Sequence, residues 1–355
     1  MITLVTTLLL VVLSNFTVEG ARKTYGVADS GSNDNNVKLF VFGDSYVDTG
    51  NFINSPAYKP PYGITFPGHP GGRFSDGRVL TDYIASYFNI DSPIPNAFRN
   101  ESNIQNGINF AHGGCGVYDT HIDGPNLTAQ INSFEQLIQQ KLFTKEDLQN
   151  SYVLVNAGAN DYTTHVQDHK FFDIPKFITT LVDQLKTDLK RFLSLGVGKV
   201  AVSLLQPIGC LPLITNIDFH LSCIGLLNKV SESHNKQLND AIEHIKIEAP
   251  GANTSFVTLD LYTAFLSTLD LMMKKAARDG NSSSENAIES PLKECCVANL
   301  GFECGDMNHH FGTRLYKVCG HPDVYFFWDA VHPSQAGWDV TFPLLKPALA
   351  QLTQQ

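Results

Sequence analysis

Short apolar runs punctuate the chain, each ending abruptly in glycine and polar residues, with longer amphipathic stretches between them. The first run, residues 37–42, is apolar on both faces from Leu39 onward and breaks at Gly43-Asp44-Ser45. That pattern predicts a buried strand of a parallel sheet. "SYVLVNAGAND" (151–161) repeats it. "KVAVSLLQP" (199–207), "SFVTLDLY" (255–262) and "VYFFWDAVHPS" (324–334) predict further strands, and a shorter one enters the glycine turn of "QNGINFAHGGCGVYD" (105–119). Apolar positions at helical spacing predict helices over 79–88, 129–141, 175–195, 225–248, 263–278 and 334–352. Pro175 sits in a first turn and Pro250-Gly251 closes another helix. Residues 54–78, rich in Pro, Gly and aromatics, and 280–320 read as ordered loops.

Strands alternating with helices imply βαβ units, hence a parallel sheet covered by helices on both faces. Without a repeat, a low-complexity segment or a linker, residues 37–355 are expected to form a single domain. Ligands of such sheets bind beyond the carboxyl ends of the strands. Three segments place polar residues there: Ser45, Asn160, and Asp329 with His332.

Composition narrows the function classes. A formal net charge of −10 and a pI near 5.6 argue against nucleic acid and against an anionic membrane surface. Residues 1–20 have the apolar core and small residues of a secretory leader cleaved before Ala21, and 21–36 read as a flexible tail. No later run is long and apolar enough to span a bilayer, so no integral membrane segment is expected after cleavage. Sequons at Asn100, Asn126, Asn253 and Asn281 agree with an extracellular or cell-wall protein. Of seven cysteines, Cys210, Cys223, Cys295, Cys296, Cys304 and Cys319 fall after residue 209 and permit disulfides, leaving Cys115 odd. The pairing stays open, although Cys210 with Cys223 closes the simplest loop. A zinc site from Cys304, His309, His310 and Cys319 is the rival reading of the last group.

The chemistry emerges from combination. Asp329 and His332 are three residues apart, a spacing that lets a carboxylate fix an imidazole tautomer on a tight turn. Ser45 is not in a G-x-S-x-G elbow, but a strand end entering a helix offers backbone N–H groups to an oxyanion. "HGGCG" (112–116) and "GAND" (158–161) could complete that hole. Each segment alone is explained as well by a turn or a cap.

Together they resemble the plant-type GDSL esterase/lipases of the SGNH hydrolase superfamily. "FVFGDSYVDTGN", "PPYG", "GRFSDGR", "INFAHGGCG", "VNAGANDY", "PIGCLP" and "FFWDAVHPS" match that family's blocks in order, over about residues 37–345. The resemblance implies a three-layer α/β/α, flavodoxin-like fold around a mainly parallel five-stranded sheet. It implies Ser45 as nucleophile, His332 as base and Asp329 as orienting acid. The oxyanion hole would be the Ser45 and Gly113 backbone N–H groups with the Asn160 side chain, the choice of Gly113 over Gly114 being open by one position. Asp48 and Asn51 are expected to brace the turn presenting Ser45. Tyr46, at the Leu of the family's name, is expected to point into packing, and Asp76 to lie on the surface. His112 could face the site. Tyr58, Tyr62, Phe66 and Phe74 either line an acyl site or pack their loop.

The expected activity is ester hydrolysis through an acyl-enzyme, without metal or organic cofactor, by a monomer acting on a small-molecule, lipid or polysaccharide ester. Acyl transfer to an alcohol with the same residues is the first rival, and a non-catalytic cell-wall binding protein the second.

Overall fold

The computed structural model describes residues 37–100, 103–168, 170, 173–249, 251–279, 290–308 and 310–353. The expected leader and tail, Asn281 and His309 lie outside them. The main sheet is built from β1 (Leu39–Gly43), β2 (Ile94–Pro95), β3 (Ile108–Asn109), β4 (Tyr152–Asn156), β5 (Lys199–Ser203) and β6 (Ser255–Leu259). Their order is β2-β3-β1-β4-β5-β6, with every neighbouring pair parallel. The chain winds to one side of β1 and then crosses to the other, so β1 sits at the topological switch point where such sheets hold ligands.

The sheet has six strands rather than the expected five. β2 was unforeseen: two residues, one of them proline, carry no periodicity, and proline is tolerated at a sheet edge. The run at 324–328, expected as a strand, stays out of the sheet and makes only isolated bridges, Phe327 with Glu294 and with Pro333. Its backbone is used elsewhere. Cys295 and Cys296 donate to the Phe327 and Trp328 carbonyls at 3.0 and 2.7 Å, and Trp328 donates to the His332 carbonyl at 2.8 Å.

Nine helices lie among the described residues: α1 (Leu80–Tyr87), α2 (Leu127–Gln139), α3 (Lys145–Gln149), α4 (Ala159–Gln167), α5 (Ile174–Leu195), α6 (Pro212–Thr215), α7 (Gly225–Glu248), α8 (Leu261–Asp279) and α9 (Gln335–Thr353). Strand residues alternate between two cores. Phe40, Phe42, Val153, Val155, Val200 and Val202 pack with Phe134 of α2, Leu185 and Phe192 of α5 and Ile242 of α7. Leu39, Val41, Leu154, Ala201 and Val257 pack with Ile84 of α1, Phe265 of α8 and Trp338 and Phe342 of α9. The result is the three-layer α/β/α arrangement. Outside it, β7 (Cys296–Ala298) pairs with β10 (Tyr316–Val318), and β8 (Met307–Asn308) with β9 (Thr313–Arg314), all antiparallel.

Disulfides join Cys210 to Cys223, Cys295 to Cys319 and Cys296 to Cys304, and Cys115 is free and buried. Because Cys304 and Cys319 are both oxidised, the zinc reading has no thiolate to use. Asn100 and Asn253 are exposed. Asn126 caps α2, accepting from the Ala129 N–H and donating its amide to Asp119.

Candidate active site

The site begins where β1 ends. Gly43 sits at φ +130°, and a Cβ there would stand 1.8 Å from the Asn156 carbonyl oxygen, so only glycine lets β1 run this close to β4. The Gln130 side chain accepts from the Gly43 N–H and donates to its carbonyl, holding the strand end from the α2 side. The Asp44 N–H then donates to Asn156, and the Asp44 carboxylate accepts from the Tyr46 N–H and the Asn156 amide. With Val47 and Asp48 donating back to the Asp44 carbonyl, the chain turns tightly and presents Ser45. Tyr46 packs inward against Phe265 and Trp338, and its hydroxyl donates to the Val331 carbonyl at 2.8 Å.

Ser45 Oγ lies 2.8 Å from His332 Nε2. His332 Nδ1 lies 2.8 Å from both Asp329 oxygens, and Oδ1 also accepts the Val331 and His332 N–H groups. Ser45, Asp329 and His332 are all under 10 % exposed. Burial alone would push the Asp329 carboxyl up, but His332 and the donors around it outweigh this and hold it below its usual range. Asp44 has no imidazole in hydrogen-bond contact, and burial pushes its carboxyl up to about 7.

Asp48 is a second, fully buried carboxylate. Its Oδ1 accepts the Gly50 and Asn51 N–H groups at 2.7 Å, and its Oδ2 accepts those of Phe52 at 3.2 Å and Gly113 at 2.9 Å. Asn51 adds two bonds from its amide, to the carbonyls of Asn109 and Ala111. The turn after β1 is thereby stapled to the glycine turn after β3. One consequence bears on the expected oxyanion donors: the Gly113 N–H points at Asp48, whereas Gly114, at φ +78°, lines the cavity beside Ser45. The Asn160 amide, in the first turn of α4, donates one hydrogen to the Cys115 carbonyl at 2.9 Å and also lines that cavity. Asp161 beside it accepts the Val117 and Tyr118 N–H groups, and burial pushes its carboxyl up to about 6.

The cavity measures about 930 Å³ and contains Ser45, Asp329, His332, Asn160 and Gly114, with walls that include Phe52, Ile122, Leu213 and Phe302. Of the four aromatics in question, Tyr62 and Phe74 line it. Tyr58 instead donates to the Gly50 carbonyl, and Phe66 lies under the guanidinium groups of Arg73 and Arg78. His112 stacks on Phe52 at 4.5 Å and stays out of the lining. Burial, then neighbouring carboxylates, push the Cys115 thiol up to about 12, so it supplies no thiolate. The expectation that Asp76 is superficial is wrong: it is buried and accepts the Gln335 N–H at 2.7 Å. A carboxylate is ordinarily a surface group, but here it caps the start of α9. Sequence reasoning also missed the Tyr62 hydroxyl, which donates to Asp329 Oδ2 at 2.8 Å.

A parallel α/β/α sheet thus carries a hydrogen-bonded serine, histidine and aspartate beyond its carboxyl edge. The sequence profile of the family described as GDSL-like Lipase/Acylhydrolase matches residues 39–342, and the chain belongs to that family. It is similar to GDSL esterase/lipase At5g03610 of Arabidopsis thaliana, 39% identical over 88% of this chain and 86% of that one. GDSL esterase/lipase At3g09930 of the same plant is 38% identical over 87% of each chain. Acetylajmalan esterase 2 of Rauvolfia serpentina is 30% identical over 92% of each. The protein is accordingly a carboxylic ester hydrolase.

Proposed function

We propose that the protein is a secreted esterase working through an acyl-enzyme on Ser45. The contact of Ser45 Oγ with His332 Nε2, whose other nitrogen faces Asp329, carries this reading. His332 takes the hydroxyl proton as Oγ attacks the ester carbonyl. The oxyanion is received by the Ser45 and Gly114 N–H groups and the second hydrogen of the Asn160 amide. Gly114 replaces Gly113 in this role because the Gly113 N–H is held by Asp48. Each such donor is worth roughly a hundredfold to a thousandfold in turnover. The leaving alcohol takes the proton from His332. Water, deprotonated by the same imidazole, then frees the acid and restores Ser45.

Secretion is supported by the leader pattern, the disulfides and the exposed sequons at Asn100 and Asn253. A cavity of about 930 Å³ exceeds a single acetyl group and suits a bulky ester partner. The test is labelling with a fluorophosphonate followed by peptide mapping, beside hydrolysis of acetyl and longer acyl esters with and without added alcohols. Label on Ser45, lost together with hydrolysis in Ser45→Ala, is expected. Unlabelled wild type, or equal labelling of the variant, refutes the acyl-enzyme. New esters formed in preference to acid would make the enzyme an acyltransferase.

A further inference from the structure

We propose that Tyr62 is a positioning residue of this site, acting on turnover through the hydrogen bond its hydroxyl donates to Asp329. The inference rests on the Ser45–His332–Asp329 reading and deepens it.

The two oxygens of Asp329 are provided for differently. Oδ1 accepts two backbone N–H groups besides the imidazole. Oδ2 has the imidazole and, at 2.8 Å, the phenol of Tyr62, a residue 267 positions away. With Asp329 only 7 % exposed, bulk water cannot easily stand in for that donor. The phenol is also dependable. Burial, reinforced by Asp329 itself, holds its ionisation well above the usual range, so it stays a donor.

Tyr62 is placed firmly enough to impose a geometry. Its ring meets Phe74 and Trp328 edge-on, at 6.3 and 6.0 Å between centroids. The Tyr62 and Gly63 N–H groups donate to the Lys59 and Ser75 carbonyls, and the Tyr316 hydroxyl donates to the Pro60 carbonyl. Phe74, from the same loop, lies 5.1 Å from the His332 ring. One loop therefore holds both members of the carboxylate–imidazole pair, on the wall of the ester cavity.

The purely structural alternative is an aromatic that packs between Phe74 and Trp328. Tyr62→Phe separates the two, because it keeps the ring and removes the donor. Without the phenol, Asp329 carries more uncompensated charge toward His332 and stabilises the imidazolium. The acid limb of the activity profile should then move to higher pH by several tenths of a unit. Other titratable groups whose fields reach this pair or its phenol are Asp44 and Tyr46 on the β1 turn and Glu303 and Asp306 on the disulfide-bonded loop. All of them remain in the variant.

The experiment measures kcat, KM and their pH dependence for wild type and Tyr62→Phe, with the low-field proton signal of the His332 Nδ1–H. The expected result is a kcat about tenfold to a hundredfold lower, because an Asp329 freed of the phenol no longer holds the imidazole in line with Ser45 and this outweighs its greater basicity, with a nearly unchanged KM, a raised acid limb and a shifted signal. Placing 3,5-difluorotyrosine at position 62, a stronger donor of similar shape, should move the limb the opposite way. It also keeps the test open should the phenylalanine variant fold poorly. Wild-type values of kcat, acid limb and proton signal in both variants overturn the proposal. Fluorophosphonate labelling of the wild type tells this failure from that of the triad: Ser45 remains labelled in the first case and unlabelled in the second.

Discussion

Asp48→Asn tests whether the turn that presents Ser45 also sets the oxyanion hole. The carboxylate accepts four N–H groups, two on each oxygen. An asparagine that keeps its oxygen on Gly50 and Asn51 must turn its amide hydrogens toward the Phe52 and Gly113 N–H groups. Two bonds are lost, and donors then face donors. Hydrogen bonds to a charged group contribute about 1.5–3 kcal/mol each. Against this, the substitution removes a buried charge whose desolvation already raises the carboxyl above its usual range. The balance is a loss of about 2–4 kcal/mol, measurable as a lower midpoint of urea unfolding with unchanged slope. The kinetic consequence is separate. A Gly113 released from Asp48 leaves Gly114 free to swing, so kcat should fall about a hundredfold or more while KM moves little. Wild-type stability in the variant would mean that Asp48 does not hold the turn. Lower stability with kcat intact, measured well below the unfolding transition, would refute the link from Asp48 to the oxyanion donors.

Asp44 makes a pH-dependent prediction. Its folded carboxyl titrates near 7 against an ordinary 3.8, so the folded chain keeps a proton that the unfolded chain has released. Stability therefore falls as pH rises from about 4 to about 7 and levels off above. Asp44→Asn keeps an acceptor for Tyr46 and Asn156, and its melting temperature relative to wild type should climb between pH 5 and pH 8. That gain corresponds to about 3 kcal/mol, from roughly two units of the titration at about 1.36 kcal/mol each, and a constant difference across the range would refute it. Serine at both Cys210 and Cys223 opens a loop with a sequence separation of 13, at a cost of about 3 kcal/mol. A thermal midpoint unmoved by the double substitution would show that the segment is held without its bridge.

The parts of the fold legible in the sequence are those that local burial decides. β1, β4, β5 and β6 are apolar on both faces because helices cover both, and the alternation of Phe40 and Phe42 against Leu39 and Val41 follows from that. Ser45, Asn160, Asp329 and His332 were legible for the same reason, as polar residues where apolar runs stop. What local pattern cannot encode is where a backbone N–H points. Gly113 and Gly114 are neighbours of one type, and only the distant Asp48 tells the glycine whose amide it holds from the one that lines the cavity. Asp76 and Tyr62 were misread or missed on the same account, since their partners, Gln335 and Asp329, lie 259 and 267 residues away.

The run at 324–328 shows what this means for function. Four of its residues are aromatic, and it reads as a strand, yet it joins no ladder of the main sheet. The sheet therefore positions Ser45 and Asn160 directly, but it cannot position Asp329 and His332. Their placement comes from contacts that substitute for a ladder. Tyr46 of the turn that presents Ser45 donates to Val331, and Ser75 of the aromatic loop donates to Pro333. Cys295 and Cys296 donate to Phe327 and Trp328, and each of these cysteines is tied by a disulfide, to Cys319 and to Cys304. A parallel sheet can place one edge of such a site to high accuracy, but the Asp329–His332 pair hangs on a loop. The cross-links nearest that loop are the ones that join the backbone holding it. Reducing them should disturb the 2.8 Å contact of Ser45 with His332 before the α/β/α core is affected, so ester hydrolysis should decay at lower reductant concentration than the far-ultraviolet circular dichroism. Coincident loss of the two would place the acid–base loop within the cooperative core and refute this division of labour.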